Sequence, residues 1–521
     1  MKIFSIPACS NFPYSEIRHY SYDLLELRLD YSENPLVFPT RLESFLSIDS
    51  TTIVTIRDLS EGGVKSIPFE QKLASYLELI KRTNCLVDCE FELFIKHNPP
   101  IPHENLILSK HFSEECSNLS ETVSETIDKA NKFNVRYLKL IIPVETYQQM
   151  QNFSNWKKAS KTPLIILGSG LLGKLSRILW KLNGSVGTYL ALENFKTSPD
   201  QLTFEEYELY GCELLDERTI LGGIIGDKHV YNSLGLLYYN RKLRRIDSRI
   251  AYLPFPVKDL QDFVSWLRYM NQQIIFYGFS VTMPFKSLFS QYFFTTEQKS
   301  DHHLSSGQEH PSKSDSYQQQ KIKQSSQTSD ILTSLAQTND LTSKIANLFS
   351  VKVDTNHQLE DILPEQFLNT DLDAFRESIK ILNVDKDDLI LVFGAGATAC
   401  TFLREFTNFA NLKISSRNEE KGIALAKLCK IRYLSLKEIA DVTFDLVVNC
   451  TPLGMVGEDF FSVTGITMPK KFLDLTYTKQ KTKAINRCIE KKIPCVDGQK
   501  FWLLQARRQE EMFRRNISKL L

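Results

Sequence analysis

Eight short apolar runs, spaced through the first 210 residues, constrain the fold of this 521-residue chain more than any other feature. They occupy residues 3–6, 24–29, 52–56, 85–89, 105–108, 137–142, 163–167 and 187–191. Stretches of helical period, such as 69–81 and 121–132, lie between some of them. Short buried strands alternating with helices build parallel sheets, because each parallel strand needs a crossover and the crossover helix covers the sheet face. Eight such units in about 210 residues predict a closed (β/α)8 barrel.

A second α/β set begins near residue 221, and residues 221–290 read as a small α/β region. Residues 295–330 are nearly free of large apolar side chains. Such a segment buries too little surface to offset its ordering entropy, which predicts a disordered insertion. Regular structure resumes near residue 331. A strand at 389–393 opens a glycine-rich turn, βα units run to about 498, and 501–521 read as a basic amphipathic helix. No internal repeat is present.

Lys+Arg number 63 against 62 for Asp+Glu, a net charge of +1. That balance gives no global field for nucleic acid or an anionic membrane, so any anion recognition is local. No apolar run reaches 18 residues. Cys9, Cys85, Cys89, Cys116, Cys212, Cys400, Cys429, Cys450, Cys488 and Cys495 are scattered. Cys85 and Cys89 are close, yet no second pair or histidine cluster completes a zinc site. Free thiols in a reducing cytoplasm are the expectation. The opening MKIFSIPACS carries too short an apolar run for a signal peptide.

In a barrel the chemistry sits at the C-terminal ends of the strands. Period-two alternation puts Glu26, Arg28 and Asp30 on one face, and likewise Asp88 and Glu90. Arg57 ends the third run, His111 follows the fifth, and Lys139 sits inside the sixth between leucines. Arg177 follows the seventh, and Thr197 to Gln201 follow the eighth. A lysine within leucine and isoleucine is expensive unless its amine has a task or a partner. Burial and neighbouring cations lower an amine pKa, which Schiff-base formation needs. A histidine at a neighbouring strand end can move the protons. Each side chain also has a structural reading: Lys139 as a snorkelling lysine, His111 as a satisfied histidine, the acids and arginines as ion pairs.

The ordered pattern ELRLD, R-x3-EGG, VDxE, SxHxF, LKL, G-x4-G-x2-SR and a final Gln resembles type I 3-dehydroquinate dehydratase over residues 1–214. The resemblance implies that Lys139 forms the Schiff base with the ring ketone and that His111, oriented by Glu90, removes the adjacent proton and protonates the departing hydroxyl. It implies that Arg177 binds the substrate carboxylate, that Glu26, Arg28, Arg57, Thr197 and Gln201 shape the site, and that no metal is needed. Leu167 stands where the family usually has Met. The family's Ser-Ala-Pro-Gly-Gln loop reads Thr197-Ser-Pro-Asp-Gln201, so Asp200 adds a negative charge near an anionic substrate.

Farther along, Ser233 stands in a turn with Gly235, and Thr282 precedes Lys286 in Ser-Val-Thr-Met-Pro-Phe-Lys. Asp371 closes Asn-Thr-Asp. A lysine and an aspartate brought together can share a proton near a ketone under reduction, while Lys286 alone is a helix-start lysine. The turn Gly394-Ala395-Gly396-Ala397-Thr-Ala399 follows a strand and should open a helix. Glycines there let backbone approach a pyrophosphate at the helix N-terminus. Arg417, after Ser416 and before Asn418, stands where NAD-binding folds carry an acid, which suits a 2′-phosphate and hence NADP. Its plain reading is a solvated loop charge.

These motifs, with Asn449-Cys-Thr451-Pro-Leu-Gly454-Met455, Asp474-Leu-Thr-Tyr477 and Asp497-Gly498, resemble shikimate dehydrogenase over about 218–521 apart from the insertion. The resemblance implies that Lys286 and Asp371 are the catalytic pair. Ser233, Thr282, Asp354, Tyr477 and Gln505 then contact substrate. Gly394, Ala395, Gly396, Ala397, Ser416, Arg417, Asn418, Met455 and Gly498 then hold NADP. It also implies domains at 1–214 (the barrel), 218–380 (substrate binding, with the 295–330 insertion) and 381–498 (Rossmann-like, NADP-binding), with 499–521 a helix returning to the substrate domain. Gly235 replaces the second serine of the family's Ser-x-Ser, Ala397 its third glycine, and Asp354 its usual asparagine. The expected function is a two-step, cytoplasmic shikimate-pathway enzyme acting on small molecules, with no nucleic-acid or membrane partner. The alternative is an active dehydratase joined to a degenerate dehydrogenase half that binds NADP with little or no turnover.

Overall fold

The computed structural model describes residues 1–38, 42, 47–282, 284–286, 348–351, 364–478 and 480–521. The expected insertion at 295–330 and Asp354 lie outside the described residues. The chain divides into two compact units, one running from Met1 to Phe276, the other holding the described residues from Tyr277 on.

In the first unit the eight apolar runs become β1 (Lys2–Pro7), β2 (Leu24–Arg28), β3 (Thr52–Thr55), β4 (Leu86–Glu90), β5 (Leu106–His111), β6 (Tyr137–Pro143), β7 (Leu164–Ser169) and β8 (Thr188–Ala191). They pair in the order β7-β6-β5-β4-β3-β2-β1-β8, all parallel, and β9 (Leu202–Thr203) extends β8. The Val186 N–H, just ahead of β8, donates to the Leu164 carbonyl of β7 at 2.9 Å and joins the two ends of the sheet. The expected barrel is therefore present. β5 runs three residues past its apolar run because its end carries Ser109 and His111, polar side chains that alternate toward one face.

The helices α1 (Phe69–Thr83), α2 (Phe91–His97), α3 (Leu119–Ala130), α4 (Tyr147–Ala159), α5 (Gly173–Ile178) and α6 (Phe204–Tyr210) follow successive strands. Thr146 with Gln149 and Thr203 with Glu206 form capping boxes at the starts of α4 and α6. Such caps contribute about 1 kcal/mol each by satisfying orphan N–H groups. This unit continues past residue 218 into a lobe. There β10 (Ile220–Gly226) pairs in parallel with β11 (Ile250–Pro256), alongside α7 (Leu234–Leu243) and α8 (Leu260–Met270). Tyr147 of α4 packs its ring against Phe263 and Trp266 of α8, with centroids 5.1 and 5.0 Å away.

In the second unit β12 (Ile275–Val281), β13 (Leu348–Val351) and β14 (Pro364–Leu368) pair antiparallel. α9 (Asp371–Ile381) leads to a parallel sheet of β15 (Leu389–Phe393), β16 (Asn411–Ser415), β17 (Arg432–Tyr433), β18 (Leu446–Asn449), β19 (Lys471–Asp474) and β20 (Cys495–Val496). Its order is β17-β16-β15-β18-β19-β20. Strand order therefore reverses between β15 and β18, the switch point where doubly wound sheets bind ligands. Alternation along β15 explains the two layers. Ile390 and Val392 join one core with α10 (Ala397–Glu405) and α11 (Glu419–Cys429). Leu391 and Phe393 join the other with α12 (Leu436–Ala440), α13 (Phe460–Thr464) and α14 (Lys483–Glu490). The basic C-terminal helix is α15 (Gly498–Leu520); its Phe513 packs on Tyr277 and its Asn516 donates to the Tyr277 carbonyl at 3.0 Å. Among the described residues no helix is long and apolar enough to cross a membrane, and no cluster of His, Cys, Asp or Glu is placed to hold a metal ion. All ten cysteines are free thiols.

Candidate functional site

The parallel register brings the polar strand ends together. Ser109 of β5 lies opposite Lys139 of β6 and opposite Glu90 of β4, and Asp88 lies opposite Thr55 of β3. Lys139 is 6% exposed. Its Nζ donates to Asp88 Oδ2 at 2.9 Å, lies 3.6 Å from Glu26 Oε1 and sits 4.3 Å from the ring centroid of Tyr189. Asp88 also accepts from Ser109 Oγ at 2.5 Å and meets Arg57 Nη2 at 2.7 Å. Burial pushes the Asp88 carboxyl up, but the Arg57 and Lys139 charges and the Ser109 and Lys139 hydrogen bonds outweigh it and hold the group below the usual carboxylate range.

The other residues of this end form a connected shell. Arg57 Nη1 donates to Ser109 Oγ at 2.8 Å and reaches Glu61 at 3.3 Å. Glu26 accepts from Ser5 Oγ at 2.5 Å and Thr55 Oγ1 at 2.9 Å. Arg28 is paired with Asp30 through two bonds at 2.9 and 2.8 Å. Thr197 and Gln201 bond to each other, and Thr197 Oγ1 lies 3.1 Å from Ser5 Oγ. Arg177 donates from Nε to the Gly168 carbonyl at 3.2 Å. Burial pulls its guanidinium down to about 10, with Asp200 opposing.

His111 has a buried Nε2 with no partner among the described residues. Burial, reinforced by the Arg57 and Lys139 charges, pulls its imidazole well below the usual histidine range, so it is neutral near pH 7. The orienting bond expected from Glu90 is not made. Glu90 Oε1 accepts instead from Lys72 Nζ at 2.8 Å and the Asp58 N–H at 2.9 Å. Lys72 reaches in from α1 and is fully buried, so its ammonium needs this carboxylate.

Asp88, Ser109, Lys72 and Tyr189 are the residues that sequence reasoning did not assign to the site. Asp88 and Ser109 carried a signal, each being two residues from a chosen residue on the same strand face. Lys72 sits on α1, where nothing local separates it from the exposed Lys81 and Arg82 of the same helix. Tyr189 lies within an apolar run, and its buried hydroxyl has no partner among the described residues.

In the second unit Lys286 Nζ donates to Asp371 Oδ2 at 2.7 Å. Asp371 opens α9 and is 1% exposed. Asn369 accepts the Asp371 N–H at 3.2 Å and donates to Thr401 at 3.1 Å. Gln509 of α15, four residues past the expected Gln505, accepts from Ser280 Oγ at 2.6 Å and donates to Thr370 Oγ1 at 3.1 Å. The half-buried Gln505 has no such bond among the described residues. Thr282 precedes Lys286 by one turn, and its carbonyl accepts the Phe285 N–H at 3.0 Å. Ser233 belongs to the first unit, where its hydroxyl accepts the Gly235 N–H at 3.2 Å and caps α7.

The turn after β15 lies at the switch point. Gly394 has φ of +125°, which favours glycine, and a side chain there would strike Cys450 and Thr451. Gly396 caps α10 and faces open space, with Ala395 and Ala397 on either side. Across from it, Thr451 and Asp474 both bond Asn449, and Thr482 donates to Asp474 at 2.8 Å, which ties the ends of β18 and β19 together. Tyr477 follows, half-buried. Ser416 Oγ donates to the Asn418 carbonyl at 2.6 Å, Asn418 caps α11, and Arg417 is exposed. Met455 is also exposed. Gly498 begins α15 with its Cα against the Thr476 carbonyl.

Residues 13–210 match the family model of type I 3-dehydroquinase. The chain is 26% identical over 199 residues to a 3-dehydroquinate dehydratase of Streptococcus thermophilus, covering 35% of this chain and 84% of that protein. It is 32% identical over 148 residues to a shikimate dehydrogenase (NADP(+)) of Clostridium botulinum, covering 26% of this chain and 56% of that protein. It thus spans little more than half the length of that relative. A solved structure of dehydroquinate dehydratase and shikimate dehydrogenase from S. pombe aligns over 99% of this chain and 98% of that one, with 16% identity and a TM-score of 0.35.

Proposed function

We propose that this chain, which carries a type I 3-dehydroquinase domain at residues 13–210 and has shikimate dehydrogenases among its relatives, catalyses two consecutive steps. It dehydrates 3-dehydroquinate to 3-dehydroshikimate and then reduces that ketone to shikimate with NADPH. The observation that carries the reading is the buried Lys139 amine on the barrel interior, beside a neutral His111 whose Nε2 is unbonded among the described residues.

In the first step the Lys139 amine adds to the ring ketone and water leaves, giving an imine. His111, already neutral, takes a proton from the adjacent carbon, and the imine accepts the electron pair as an enamine. The enamine expels the β-hydroxyl, which takes the proton back from His111 and departs as water. Hydrolysis of the imine releases the product and Lys139. Arg177 holds the carboxylate, since among the described residues only its Nε has a protein acceptor. Arg57, Glu26 and Gln201 flank the ring hydroxyls.

In the second step Lys286 donates a hydrogen bond, then a proton, to the carbonyl oxygen as it gains charge, and Asp371 holds the ammonium in place. The residues at the switch point fit NADPH. Open space at Gly396 lets a pyrophosphate reach the N-terminus of α10, and exposed Arg417 is free for a 2′-phosphate. When bound, NADPH supplies the hydride. The retained Lys286–Asp371 pair favours this reading over one with a degenerate reductase. The test is to add 3-dehydroquinate and NADPH to the purified protein. Decay of NADPH absorbance supports both steps, because only dehydrated product can be reduced. No decay, with none after 3-dehydroshikimate either, rejects the second step.

A further inference from the structure

The helix that carries Arg177 is held in part from outside the barrel. α5 has six residues, and the first N–H groups of any helix lack an intrahelical acceptor. The barrel satisfies those just ahead of it: Gly170 N–H donates to Asp200 at 3.1 Å and Leu171 N–H to Glu145 at 3.0 Å. The Leu175 N–H donates instead to the Tyr231 hydroxyl at 3.1 Å, 56 residues later in the chain. Lys174 lies over the Tyr231 ring at 5.3 Å while pairing with Glu206 at 2.7 Å. Next to Leu175, the Ser176 hydroxyl accepts the Gly168 N–H at 2.7 Å and Arg177 donates to the Gly168 carbonyl. Three consecutive residues of α5 are thus clamped, outward by Tyr231 and inward by the end of β7.

The same lobe grips the neighbouring helix. Asp262 accepts the Tyr147 and Gln148 N–H groups at 2.6 and 2.9 Å, at the start of α4, and the Tyr147 hydroxyl donates to the Pro256 carbonyl at 3.0 Å. In a barrel the N-termini of the helices lie at the end where the strands deliver their catalytic side chains. α4 follows β6, the strand of Lys139, and α5 follows β7. The lobe therefore meets the barrel at its reactive end.

We propose that Tyr231 is a positioning residue for the dehydration, its hydroxyl fixing the helix that aims Arg177, so that a residue beyond the barrel completes the first site. This rests on the dehydratase reading above.

The test uses the full chain and steady-state dehydration. Tyr231→Phe keeps the ring and removes the acceptor. It should raise KM for 3-dehydroquinate about tenfold, the scale of one hydrogen bond, with kcat within about twofold. The unfolding midpoint should fall by only a few degrees, the cost of one unsatisfied N–H, and the methyl ester of the substrate, which lacks the carboxylate charge, should bind wild type and variant alike. Tyr147→Phe, which removes the bond to Pro256 in the same contact, should leave KM unchanged. A wild-type KM in folded Tyr231→Phe overturns the inference, as does an equal rise in Tyr147→Phe. If the wild-type chain itself does not dehydrate 3-dehydroquinate, the reading fails and the inference with it.

Discussion

Asp88 faces Arg57, Lys139 and Ser109 at once, and that arrangement sets the electrostatics of the barrel interior. It is the nearest carboxylate to both buried cations, at 2.7 Å from Arg57 and 2.9 Å from Lys139, and removing one partner of such a set costs about 3–5 kcal/mol. Glu61, on the loop beyond Arg57, behaves differently. Burial raises its carboxyl to about 7, against the pull of Arg57. The folded chain thus holds that proton more tightly than the unfolded chain. Its contribution is fully present below pH 4.5, the ordinary value, and is lost as pH rises through about 7. The ceiling is roughly 3 kcal/mol. Glu61→Gln, neutral throughout, should remove this dependence. Urea midpoints at pH 5 and pH 8 should converge in the variant relative to wild type, and parallel pH dependences would reject the assignment. Other groups add their own slopes, so the comparison is between the two proteins. His111, with its depressed pKa, works in the opposite direction and destabilises the fold as pH falls below 6.5.

At the scale of elements, strands were legible because burial on both faces writes an uninterrupted apolar run, as in Leu164 to Leu167 of β7. What sits opposite what was not, because register depends on pairing between distant segments. Alternation put Asp88 and Glu90 on one face, yet nothing local says that Ser109 meets Lys139 or that Lys72 crosses from α1 to take Glu90 from His111. The grip of the lobe on α4 was equally hidden, since Asp262 lies 115 residues from Tyr147 and reads as a first-turn acid of its own helix, α8. That contact makes its own prediction. Asp262 binds two N–H groups at a helix N-terminus, where a carboxylate also meets the helix dipole. Asp262→Ala should cost about 1–2 kcal/mol and raise amide exchange over the first turn of α4, while β6 stays protected. Unchanged exchange at Tyr147 and Gln148 would show the cap to be dispensable.

For the whole molecule, the two units each contain a lysine paired with an aspartate, Lys139 with Asp88 and Lys286 with Asp371, at 2.9 and 2.7 Å. Both pairs lie wholly within one unit, so neither proposed reaction borrows its central amine from the other. The product of the first reaction is a small, soluble ketone that can diffuse between molecules. Lys139→Ala should therefore reduce added 3-dehydroshikimate but leave NADPH untouched when given 3-dehydroquinate. Lys286→Ala should dehydrate 3-dehydroquinate, seen as enone absorbance, and oxidise no NADPH. Mixed in one cuvette with 3-dehydroquinate, the two variants should restore NADPH decay after a lag that shortens as Lys286→Ala is increased. The lag measures the time for free intermediate to accumulate to the KM of the second site. Full restoration shows that the intermediate passes between chains through solution and need not stay within one. No restoration, with each variant active in its own half-reaction, would mean that the intermediate must pass within one chain.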